Sequence, residues 1–184
     1  MHQFASSVLF GQALAVAAAQ PTFFNVTAIA GVNSRSTIQC WQIANPFAVS
    51  TDAGTKGVAK VSLNNTADVS YLVLPSNYDG GLHTAPAKQW VAFTSGLAHI
   101  TLPDDPLASA YVVGGAFGLI FAADTADVSR QGHITQYPGN TETVALQIPT
   151  KDDSIPPHVV LHTGPCNAEE VAGIYSFATH GTQQ

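Results

Sequence analysis

Short apolar or alternating runs, each closed by a proline- or glycine-rich turn, recur from Val58 to His162. A chain patterned this way buries its apolar side chains only by pairing strands and stacking the resulting sheets. Residues 58–63 alternate, and the apolar run 69–74 stops at Pro75. Runs 90–94 and 98–102 flank Ser95-Gly96-Leu97, which reads as a hairpin. Residues 111–123 form a long run rich in Gly and Ala, whose Gly114, Gly115 and Gly118 predict a bend or a close strand approach. Residues 143–148 alternate with Val144, Leu146 and Ile148 on one face, and residues 158–162 with His158, Val160 and His162 on one face. Turn chemistry at 75–81, 103–106, 138–140 and 156–157 separates the runs. Helical periodicity is confined to 167–176, where Asn167 is an N-cap and Glu169 and Glu170 suit the helix dipole. The expected fold is all-β, an antiparallel β-barrel or jelly roll with a short C-terminal helix.

Residues 1–19 carry no Lys, Arg, Asp or Glu, and Ala17-Ala18-Ala19 precede Gln20-Pro21. This reads as a secretory signal peptide cleaved after Ala19; the alternative is a buried or disordered N-terminal helix. Residues 20–184 are then a single domain of about 165 residues with one core. Charged residues make up 10% of the chain and the net charge is −6. Six scattered basic residues form no patch, which argues against nucleic acid and against an anionic membrane surface as partners.

The two cysteines, Cys40 and Cys166, suggest one disulfide in an exported chain, with two buried thiols as the alternative. The chain-entropy account gives so long a loop roughly 5 kcal/mol. Asn25-Val26-Thr27 and Asn64-Asn65-Thr66 are sequons, so Asn25 and Asn64 are candidate glycosylation sites.

Two motifs remain. The first is Leu82-His83-Thr84-Ala85-Pro86-Ala87-Lys88-Gln89-Trp90, closed by Gly96; the second is Gly132-His133-Ile134-Thr135, preceded by Asp124-Thr125. Over roughly residues 70–150 they resemble the paired motifs of the cupin superfamily, small β-barrels with an internal pocket. The likeness is to the small secreted, fungal type of cupin reading His-x-x-Pro-x-x-Gln and Gly-His-x-Thr. The resemblance implies a metal-binding pocket with a reduced ligand set. His83 matches the first histidine, Gly96 the closing glycine and His133 the histidine of the second motif. Ala85 stands in place of a second histidine and Gln89 in place of a glutamate, while Arg130 and Tyr137 replace a flanking glycine and asparagine.

Two neutral imidazoles and an amide oxygen can hold a borderline divalent ion such as Zn, Mn, Fe or Cu. The losses at 85 and 89 weaken that affinity, and Gln89 cannot serve as a general base. His83, Gln89 and His133 are therefore candidate metal ligands, with polar pocket roles and metal-free catalysis by a histidine left open. His158 and His162, about 13 Å apart along one strand, are too distant to share an ion. His99 and His180 carry no motif, and Asp104 and Asp105 sit in a proline-flanked turn. If Gln89 faces inward, Trp90 faces outward, against an N-terminal segment or the partner of a homodimer.

Three functions fit these residues. One is binding of a small ligand inside the barrel. Another is metal-assisted oxygenase, isomerase or cyclase chemistry at His83, Gln89 and His133. The third is a secreted effector or wall-associated interaction protein in which the barrel is scaffold. Fold alone does not choose among them.

Overall fold

A computed structural model of the chain describes residues 23–51, 56, 59–63 and 65–171. The expected signal peptide, Asn64, His180 and the helical pattern beyond Val171 lie outside the described residues. Thirteen strands follow in order: β1 (Phe23–Val32), β2 (Arg35–Pro46), β3 (Ala48–Val49), β4 (Ala59–Lys60), β5 (Ser70–Leu74), β6 (Tyr78–His83), β7 (Gln89–Ser95), β8 (Leu97–Leu102), β9 (Asp105–Val113), β10 (Leu119–Ala123), β11 (His133–Tyr137), β12 (Thr143–Pro149) and β13 (His158–Thr163). The fold is all-β, as the periodicity predicts.

The strands form a seven-stranded sheet, β13-β2-β1-β10-β7-β12-β5, and a four-stranded sheet, β6-β11-β8-β9. A two-stranded ladder, β3-β4, stands apart. Neighbouring strands of both sheets run antiparallel except β1 and β10, which are parallel.

One turn differs from its sequence reading. Ser95-Gly96-Leu97 does not close a hairpin: β7 pairs with β10 and β12, whereas β8 pairs with β11 and β9. The turn carries the chain from one sheet to the other. Gly96 has φ +82°, and a Cβ there would run into Thr143. Leu97 N–H donates to Thr143 Oγ1 at 3.2 Å, fixing the crossover to β12. Local sequence cannot tell a hairpin from such a corner, because both need a sharp reversal between alternating strands. Burial of Phe93, Ala98 and Ile100 in one cluster between the sheets favours the corner.

The apolar run 111–123 divides at its glycines into the end of β9 and the start of β10. A Cβ on Gly114 would meet the backbone of Ser95, so the close approach expected there is present.

Both faces of the large sheet are buried. Ile29, Ile38, Val91, Phe93 and Ile120 point toward the small sheet, where Ile100, Leu102 and Val112 meet them. Val26, Trp41, Trp90 and Phe121 form a second cluster on the opposite face, partly covered by Phe47 and Leu63. Trp90 and Phe121 meet edge-on, with centroids 4.9 Å apart. Burying a side chain such as Phe121 contributes roughly 1.5–3 kcal/mol. Trp90 thus packs within the chain, against β1 and β10, with Phe24 at 6.3 Å.

Cys40 and Cys166 form a disulfide. It fastens β2 to the segment after β13. There Asn167 caps the helix that begins at Ala168: Glu170 N–H donates to Asn167 Oδ1 at 3.0 Å and Asn167 N–H to Glu170 Oε2 at 2.6 Å. This reciprocal pair is a capping box. Among the described residues no helix is long and apolar enough to cross a membrane.

Candidate functional site between the sheets

Antiparallel register brings the two motifs together. His83 ends β6, His133 begins β11, and the two residues are paired directly across the ladder. Gly132 makes this possible: it has φ +81°, and a Cβ would run into the carbonyl oxygen of His83. Only glycine lets β11 enter so close to β6. The imidazole centroids lie 4.6 Å apart. His83 is exposed, while His133 is buried.

Gln89 comes from the opposite wall. It starts β7, where Ala122 of β10 and Pro149 of β12 are its partners in register. His83, Gln89 and His133 line one cavity of about 300 Å³ between the two sheets. Its apolar walls include Ile29, Val91, Phe93, Ile100 and Ile120, and Thr135, Tyr137 and Gln147 add polar groups. Ala85 and Pro86, between the motif residues, line it as well. His83, Gln89 and His133 thus share the lining of one cavity.

Hydrogen bonds fix the chemistry of both rings. His83 Nδ1 is 2.9 Å from the carbonyl oxygen of Gly81. A carbonyl only accepts, so Nδ1 carries the proton and Nε2 a lone pair in the neutral ring. His133 Nδ1 is 2.7 Å from Asp124 Oδ2. Paired with a carboxylate, this ring also holds a proton on Nδ1, and in the neutral ring Nε2 is the acceptor.

Asp124 is fully buried. Its Oδ2 also accepts from Ser36 Oγ at 2.6 Å, Ser36 Oγ is 2.8 Å from Ser129 Oγ, and Gly132 N–H donates to Ser129 Oγ at 3.1 Å. A buried carboxylate demands such support. The chain of donors ties β2, the end of β10 and the turn before β11 to the His133 ring. Asp124 Oδ1 and Thr125 Oγ1 are buried with no hydrogen-bond partner. Spacing alone did not disclose this network: Asp124 entered the sequence reading only beside the second motif, and Ser36 and Ser129 not at all. Its one local signal is an aspartate directly after an apolar strand.

Gln89 is 3% exposed, and among the described residues its side chain makes no hydrogen bond. Tyr137, on the same cavity, has its phenol pushed up to about 12, by burial first and by neighbouring Tyr78 second. It stays a neutral hydrogen-bonding group at physiological pH.

These side chains carry donor types that a divalent ion accepts. Both imidazoles have Nδ1 committed to an oxygen partner, the arrangement that orients Nε2 toward a metal. Gln89 adds a neutral oxygen. Among the described residues no third His, Cys, Asp or Glu joins them. Among the described residues the only such three-group cluster is Cys40, Cys166 and Glu170, whose sulfurs are joined in the disulfide.

The remaining described histidines serve elsewhere. His158 stacks on Trp41 with centroids 3.6 Å apart, His99 stacks on Tyr111 at 4.1 Å, and His162 Nε2 lies 2.8 Å from Glu170 Oε1. A bulge between Val160 and His162 breaks the strict alternation read from residues 158–162. Asp104 lies 3.8 Å from Arg35 and accepts from Gln131. At the first sequon, the Asn25 amide donates to the carbonyl of Glu170 and accepts from Gln42.

Comparison of the chain with family models and with curated proteins finds no match.

Proposed function

We propose that this chain is a secreted, cupin-like protein that binds a small, largely apolar molecule in the cavity between its sheets. The observation that carries this reading is Gln89, a buried amide with no partner on a cavity wall. Its side chain lies on the cavity wall, so a ligand with hydrogen-bonding groups can pair with it on binding. Gln89 can both donate and accept, the Nε2 of His133 accepts, and His83 stands at the exposed side of the site. The apolar walls supply the hydrophobic contribution and shape. Convergence of His83, Gln89 and His133 between two sheets supports the cupin resemblance. The disulfide and the apolar segment 1–19 support export.

The test is native mass spectrometry of protein secreted from a eukaryotic host, compared with the denatured mass. The expected result is a bound molecule of defined mass, lost in a Gln89→Leu/His133→Phe variant. Equal occupancy in parent and variant would remove the cavity from the account.

A second reading, a divalent metal site, rests on the committed Nδ1 atoms of both rings. His83, Gln89 and His133 would hold the ion, which would supply Lewis-acid polarisation of a ligand oxygen. Metal content of the parent beside a His83→Ala/His133→Ala variant decides it.

A further inference from the structure

A cluster of metal-binding donor types stands outside the inter-sheet cavity, where the last strand meets β2. The Sγ atoms of Cys40 and Cys166 and a carboxylate oxygen of Glu170 lie within 4.8 Å of one another. Strand pairing sets His162 of β13 directly across from Cys40 of β2. Cys40 is buried, Cys166 and Glu170 are half-buried and His162 is exposed, so the cluster reaches the surface.

Each donor is held by a partner of its own. Glu170 Oε2 lies 3.9 Å from Cys40 Sγ and accepts from Asn167 N–H at 2.6 Å. Glu170 Oε1 lies 2.8 Å from His162 Nε2, and His162 Nδ1 lies 2.8 Å from the Thr163 carbonyl oxygen. Such outer partners orient metal ligands. The segment also docks without the disulfide: Cys166 N–H donates to Thr27 Oγ1 and the Asn25 amide to the Glu170 carbonyl, both at 3.1 Å. Reduction therefore leaves the thiols facing each other and the carboxylate.

We propose that, once a phosphine or a dithiol has reduced the disulfide, Cys40, Cys166 and Glu170 bind one Zn²⁺, with His162 positioning the carboxylate through Oε1. The reductant gives two electrons to the S–S bond, and each sulfur takes up a proton. Zn²⁺ then displaces both protons and is held by two thiolates and the carboxylate, with a fourth position for water. Bonds of about 2.0–2.3 Å set the donors of a tetrahedral ion about 3.3–3.8 Å apart, close to the spacing of Glu170 and Cys40. The ion replaces the covalent link between β2 and the segment after β13. None of these residues lines the inter-sheet cavity, so the site does not depend on how that cavity is used.

Co²⁺ is the probe, because thiolate ligation gives it a charge-transfer band that nitrogen and oxygen donors do not. The cavity histidines cannot mimic that signal. Protein reduced with a phosphine should bind one Co²⁺ per chain with this band, and Zn²⁺ should displace it. The oxidised protein should show no band. Glu170→Gln should weaken Co²⁺ affinity by at least about tenfold, and His162→Gln by about tenfold with the band kept. Thiols of an unfolded chain also take metal, so Zn²⁺ must in addition raise the urea midpoint of the reduced parent, and by more than in reduced Glu170→Gln. No thiolate band in the reduced parent, equal affinity in Glu170→Gln, or a midpoint that Zn²⁺ leaves in place would overturn the proposal.

Discussion

His83 and His133 face each other across the ladder between β6 and β11, their rings 4.6 Å apart, and each holds an oxygen partner at Nδ1. The partners differ. His83 bonds a backbone carbonyl, whereas His133 bonds the buried carboxylate of Asp124. The deeper ring is therefore the more firmly oriented.

This asymmetry sets an order of effects on Zn²⁺ binding. Asp124→Asn should weaken Zn²⁺ affinity by about 10- to 100-fold, the usual effect of removing a carboxylate behind a ligating histidine. Replacing both histidines with alanine should abolish binding. Competition against a chromophoric chelator measures both. Parent-like affinity in the double variant would contradict the metal reading.

Gln89 bears on stability and ligand binding in opposite directions. Gln89→Leu keeps most of the volume and removes the unpaired amide, so the empty protein should gain about 1 kcal/mol in urea unfolding. Ligand affinity should fall at the same time. A loss of stability would mean that the amide is satisfied in the folded protein.

How far the sequence disclosed this site depends on the kind of contact. Period-two alternation and turn residues announced the strands, and the opposite facings of Gln89 and Trp90 follow from the pleat alone. Gly132-His133 and His83 lie fifty residues apart and meet only through register; family resemblance suggested their meeting, and the burial pattern of β11 enforces it. Ser36 and Ser129 were illegible because serine is ordinary on any strand or turn, and only tertiary packing shows that these two support Asp124. The corner at Gly96 was misread for a similar reason: a reversal in sequence does not reveal which sheet the next strand joins.

The disulfide spans 126 residues and holds β2 to the segment preceding the helix. Its removal by Cys40→Ala/Cys166→Ala should lower unfolding free energy by about 3–5 kcal/mol. Chemical denaturation measures the loss. A difference below about 1 kcal/mol would mean that the strand pairing of β13 fixes this end of the chain by itself.

His162 and Glu170 give the same region a pH dependence. Hydrogen bonding to the Thr163 carbonyl, then to Glu170, raises His162 above its ordinary 6.5. The Asn167 N–H, then His162, holds Glu170 below its ordinary 4.5. A raised histidine stabilises the fold below 6.5 and loses that effect as pH climbs through its folded value. A lowered carboxylate stabilises above 4.5 and loses its effect as pH falls. Their joint contribution should therefore be greatest between about 4.5 and 6.5. Both groups are near solvent, so the effect should be small and salt-sensitive. Hydrogen exchange at Glu170 and Val171 across this range should slow in the window for the parent but not for His162→Gln; identical profiles would sink the idea.

The inter-sheet cavity is the centre of the account, and a crystallographic soak with small oxygen-bearing ring compounds tests it most directly. The account predicts density for a compound between the sheets, within hydrogen-bond distance of the Gln89 amide and His133 Nε2. A cavity closed by its own side chains, with Gln89 bonded to the protein and compounds bound only elsewhere, would contradict it.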